Sequence, residues 1–91
     1  MIFIDDLRSN DYFVKKPIEV TISDLGDEVI AEFTEAEISV SGDTASEALS
    51  WLKERIVGSY VRFNNQRDKL GPMSMRQLQV LEKYIEEKKS A

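Results

Sequence analysis

The chain is 91 residues long, carries a net charge of -5, and is 42% apolar and 32% charged, the balance of one small globular domain rather than a disordered tail. It has neither cysteine nor histidine, which excludes a disulfide framework and a thiolate metal site and removes the side chain most used as a general base near neutral pH. No apolar stretch approaches the roughly 18 residues that cross a bilayer, and Met1-Ile-Phe-Ile-Asp-Asp lacks the long apolar run of a signal peptide, so a cytoplasmic, non-enzymatic protein with no metal or cofactor is expected.

Residues 1–16 hold two short apolar runs, Ile2-Phe3-Ile4 and Tyr12-Phe13-Val14, and each can be an edge strand or an arm lying on a neighbour. From Ile18 to Ser23 apolar and polar side chains alternate at period two, which sets Ile18, Val20 and Ile22 on one face of a strand. Asp24-Leu-Gly-Asp carries turn residues. Alternation then resumes from Glu28 to Thr34, with Val29, Ala31 and Phe33 inward, and again from Glu37 to Ser41, with Ile38 and Val40 inward. Together these runs predict a three-stranded antiparallel meander.

Thr44-Ala-Ser-Glu47 has the spacing of a capping box, in which Thr44 accepts from the amide of Glu47 and the Glu47 carboxylate reaches back. A long helix follows, with Ala45, Ala48, Leu49, Leu52, Ile56, Tyr60 and Phe63 in one stripe that can cover the sheet. Gly58-Ser59 is a place for it to bend. Asn64-Asn65 or Leu70-Gly71-Pro72 can end it, and the second is preferred because proline blocks continuation. Ser74-Met-Arg-Gln77 repeats the capping-box spacing and predicts a second helix with Met75, Leu78, Leu81 and Ile85 on its apolar face, running to Lys88-Lys89.

The fold class expected is α+β: a three-stranded antiparallel meander covered by a long helix, followed by a short C-terminal helix. Residues 17–70 form the core, 1–16 an arm or edge strand and 71–91 the terminal helix, all in one domain.

Charge is unevenly spread along this plan. From Pro17 to Ser41 there are seven acidic residues and no basic one. Alternation puts Glu19, Glu28, Ile30, Glu32 and Glu37 on the outer face of the meander, a candidate surface for a basic protein partner. A bland account of that face is a solvated sheet kept soluble by its charge, although Ile30 has no place in it. A divalent-metal nuclease is a poor fit, because a flat exposed face lacks the concave, water-excluding site such chemistry needs. The acidic half also repels phosphate backbones, so nucleic-acid binding is the lesser alternative and would rest on Arg55, Arg62, Arg67, Lys69 and Arg76 of the helical half. Trp51 lies beside the core stripe and is either a core plug or an interface anchor. Val57 and Val61 point away from that stripe, which predicts a homodimer or higher assembly using Val57, Val61, Met75 and Leu78.

The run from Phe33 to Ile56, centred on Gly42-Asp43-Thr44-Ala45-Ser46-Glu47-Ala48-Leu49, resembles the N-terminal domain of HicB-type antitoxins, in which a strand ends at a G-D-T-x-x-E-A motif that opens the main helix. The resemblance covers about residues 18 to 57. It implies a βββα core with a partly formed double-stranded-RNA-binding-like or ribonuclease-H-like fold, and a role in blocking a small basic toxin of the HicA type by direct binding. Family members usually carry a DNA-binding segment after this domain, whereas here one short helix is expected after Pro72, so the resemblance is to a stand-alone form without self-repression.

Overall fold

The computed structural model of the protein describes residues 2–7 and 9–88. Strands β1 (Ile2–Ile4), β2 (Tyr12–Val14), β3 (Ile18–Asp24), β4 (Val29–Phe33) and β5 (Ile38–Gly42) precede helix α1 (Ala45–Asn65), helix α2 (Pro72–Tyr84) and strand β6 (Ile85–Glu87). The alternating runs do pair as consecutive antiparallel strands, Thr21 opposite Glu32 and Ala31 opposite Val40. Asp24 accepts from the amide of Gly26, whose φ of +95° is the left-handed turn that a residue without Cβ adopts freely.

The expected architecture of one three-stranded meander under one long helix is overturned. The sheet has four strands in the order β1-β3-β4-β5, because the N-terminal run Ile2-Phe3-Ile4 pairs with β3. A second, two-stranded sheet joins β2 to β6, with Val14 opposite Ile85. The segment read as the last turn of a helix is therefore a strand. Ile85 is buried, as its place in the expected helical stripe also required, and periodicity cannot separate strand from helix for a single apolar residue at an element's end. Its partner strand, 71 positions earlier (85 − 14), decides the matter. Lys89 and the remainder of the expected helix to residue 91 lie outside the described residues.

Two helix boundaries also differ from the expectation. α1 stops at Asn65 rather than Leu70: the Gln66 amide donates to the carbonyls of both Arg62 and Phe63, and a 3-10 turn at Arg67–Lys69 follows. This tightening satisfies the last carbonyls and turns the chain so that Leu70 packs on the core. α2 starts at Pro72 with Gly71 as its N-cap, and the Ser74 capping box is not used. Proline at the first helical position needs no amide partner and already has the helical φ.

The start of α1 follows the expected box closely. Thr44 Oγ1 accepts from the Glu47 amide at 3.1 Å, and Glu47 Oε1 accepts from the Asp43 amide at 3.2 Å. Gly42 is a glycine because the helix comes so near: a Cβ there would lie 2.8 Å from the Ala48 backbone nitrogen. Ala48 is correspondingly fully buried. Along α1 the residues Ala48, Leu52, Ile56, Ser59 and Phe63 form the buried stripe against β4 and β5. Ile4, Leu7, Ile18, Val20, Phe33, Leu78, Leu81 and Ile85 complete one continuous core.

Candidate interaction surface

The helices cover one face of the four-stranded sheet, and the molecule's short dimension of 17 Å leaves room for two layers only. The outer face is therefore open. Glu19 and Thr21 on β3, Ile30 and Glu32 on β4, and Ser39 and Ser41 on β5 share it, since Thr21 and Ser39 both stand opposite Glu32 and Ser41 opposite Ile30. Glu19 and Glu32 are diagonal neighbours on that face, close enough for their charges to add. β1 contributes Phe3, opposite Glu19 and 58% exposed, which the sequence left unplaced. Ile30 is half-buried at the centre.

The other two acidic candidates do not lie on the strands. Glu28 belongs to the β3–β4 turn, where its carbonyl accepts from the Leu25 amide. Glu37 closes the 3-10 turn Thr34–Ala36 in a left-handed conformation, φ 57°, and sits beside Arg76 and Gln77 of α2. A left-handed residue interrupts strand alternation, so the period-two reading of Glu37 fails for a backbone reason.

The residues assigned to self-association are spread through the chain's own packing. Leu78 is fully buried, Val57 and Met75 pack half-buried against the core, and Val61 is half-buried. By the helix's angular step Val57 shares a flank of α1 with Lys53 and Tyr60, and the N-terminal loop and β2 approach that flank. Leu7 shares a cavity there with Ser50, Lys53 and Glu54, the last of which also reaches the groove on the other side, and the Tyr12 and Tyr60 rings meet edge to face at 5.3 Å. On the opposite flank Trp51, Arg55 and Arg62 line a groove beside β5. The other basic residues are not massed together. Arg67 is bound to Glu82 at 2.8 Å, which raises its pKa through that hydrogen bond and the carboxylate charge, and Lys83 pairs with Glu35 at 3.6 Å.

The most perturbed group is Tyr84 at the end of α2. Its hydroxyl donates to Glu35, its ring meets Phe33 edge to face at 5.3 Å, and the Lys16 ammonium lies 5.0 Å from the ring centre. The hydrogen bond to Glu35, then burial, then the charges of Glu35 and Glu19 push its pKa up to about 12. Tyr60 is raised as well, chiefly by burial and then by the charge of Glu82. Both shifts hold the phenol protonated, which suits a structural tie rather than a nucleophile or base. Among the described residues no group of three or more acidic side chains is placed to hold a metal ion, and no helix is long and apolar enough to cross a membrane.

In comparison with known proteins, no family model, no curated protein and no solved structure matches this chain.

Proposed function

We propose that the chain is a non-catalytic, cytoplasmic protein-interaction module that presents the outer face of its sheet to a small basic protein, in the way a HicB-like antitoxin domain is expected to hold its toxin. One observation carries this reading: the open face joins Glu19 and Glu32 to the apolar side chains of Ile30 and Phe3. Apolar anchors within a rim of one charge are what a partner of opposite charge recognises, and the field of that face also steers its approach. A nucleic-acid role has less support, because Arg67 is neutralised by Glu82 and Arg55 is flanked by Glu54.

The test is capture from extract of the native host by the full chain and by a Glu19→Lys/Glu32→Lys variant, with the bound protein identified by mass spectrometry. A small basic protein held by the parent and lost from the variant is the expected result. A partner held equally by both, or capture of generic RNA that is stripped as salt rises, overturns it.

A further inference from the structure

β5 is an open sheet edge with nothing in it to discourage a second strand. Its five residues, Ile-Ser-Val-Ser-Gly, include neither a charge nor a proline, the devices by which exposed edges ordinarily repel pairing. Between this edge and α1 runs a groove of about 730 Å³. Trp51, Glu54, Arg55, Gly58 and Arg62 form its helical wall, on one face of α1 by the helix's angular step. Trp51 is 51% exposed, and a Cβ at Gly58 would meet nothing within 4 Å. The helical wall thus carries one large protruding side chain and one gap.

We propose that this groove is half of a two-fold homodimer interface, in which β5 pairs antiparallel with β5 of a second copy and the two α1 helices lie side by side, antiparallel, over the joined sheet. The case for a second copy as occupant is the self-complementarity of the helical wall. A two-fold axis passing midway between Glu54 and Arg55 sets Glu54 of each copy against Arg55 of the other. The same axis sets Trp51 against the other copy's Gly58, and Glu47 against its Arg62. Every acid meets a base, and the protruding indole meets the residue that has no side chain. Ser39 and Val40, at the middle of β5, line the same groove as these residues, so one axis serves both strand and helix. A foreign acidic strand would satisfy Arg55 and Arg62 but bring its charge against Glu54, and a basic strand would do the reverse. The inference does not rest on the outer-face reading, because the groove opens on the helical side. The union would join two four-stranded sheets into one.

Sedimentation of the full chain over a wide concentration range tests it. The expected mass is twice 10.4 kDa. Glu54→Arg and Arg55→Glu each place like charges across the axis and raise the dissociation constant about tenfold or more. The double variant E54R/R55E restores opposite charges and with them the dimer. Circular dichroism melts at low concentration check that each variant folds. Fluorescence of Trp51, the only tryptophan, shifts to the blue as the parent associates. A parent that stays at 10.4 kDa even at about 1 mM overturns the proposal. So does a dimer indifferent to both single reversals, or a strand of another protein bound in the groove of a monomeric chain.

Discussion

The two edge strands of the four-stranded sheet, β1 and β5, differ in length and in how the chain packs beside them. β1 is three residues long and runs directly into Asp5 and Asp6, so it is short and followed by charge. Its side of the molecule is closed by the same chain: Ile4 and Leu7 are buried, Tyr12 meets Tyr60, and β2 pairs with β6. β5 is longer, five residues that like β1 carry no charge although Glu37 and Asp43 flank them, and it faces a groove walled by Trp51, Glu54, Arg55 and Arg62. The difference separates two jobs. The closed side supplies cohesion within one chain, and the open side supplies a ladder of backbone groups that another strand can take up in place of water.

The largest effect is expected on the closed side. Ile4→Ala removes a side chain that is only 3% exposed and stands opposite fully buried Ile18. Emptying such a site costs about 3 kcal/mol, the transfer of the lost carbons plus the cavity left behind. Urea unfolding measures it. A loss below about 1 kcal/mol would mean that β1 can leave the sheet at little cost, and the two edges would then be equally open.

At the point where the open strand meets its helix, Gly42→Ala sharpens the contrast. The new methyl would meet the Ala48 backbone nitrogen at 2.8 Å, and the helix start cannot yield without loosening the Thr44 cap. The expected destabilisation is about 1–3 kcal/mol, from overpacking rather than from a cavity. An unchanged midpoint would show that the β5–α1 connection relaxes freely.

The contrast between the edges also tracks what is legible in the sequence. The meander and the start of α1 depend on local signals, namely alternation, a turn glycine and a capping box. Each of these acts over a few residues, and the pairing Thr21 opposite Glu32 and the bond from Glu47 to Thr44 follow from them. The closed side depends on pairings between residues far apart in sequence: Ile4 with Ile18, Val14 with Ile85, Tyr12 with Tyr60. Three-residue strands carry too few positions for a period to show, so sequence alone leaves the N-terminal runs ambiguous and assigns Ile85 to the preceding helix. On the outer face, Glu19, Ile30 and Glu32 were readable from period two, whereas the left-handed backbone at Glu37 was not. Phe3 joined that face only once β1 had a partner.

Tyr84 allows the closed side to be followed by pH. Its folded pKa, about 12, lies above the ordinary phenol value of 10.0, chiefly through the hydrogen bond to Glu35. The unfolded chain therefore releases this proton more readily than the folded one. The contribution is complete below pH 10 and is lost as pH rises through about 12. Thermal melts across that interval should show the parent losing stability more steeply than Tyr84→Phe, which has no proton to release at this position. Equal slopes would place the loss at other groups, among them Tyr60.

The smallest effect on folding is expected on the open side, and its smallness is what gives it meaning. Trp51 is half exposed on the groove face of α1, and it has no aromatic ring partner among the described residues. Truncating it in Trp51→Ala removes surface that is largely in water already, and alanine is the better helix former, so monomer stability should stay within about 0.5 kcal/mol of the parent. The measurement is urea unfolding at two protein concentrations. If copies associate through this flank, the parent's midpoint rises with concentration, because association draws the equilibrium toward the folded state, and the variant's midpoint does not. A loss above about 1 kcal/mol for dilute Trp51→Ala would instead make the indole part of the monomer's own core, and the open edge would then be closed by the chain itself.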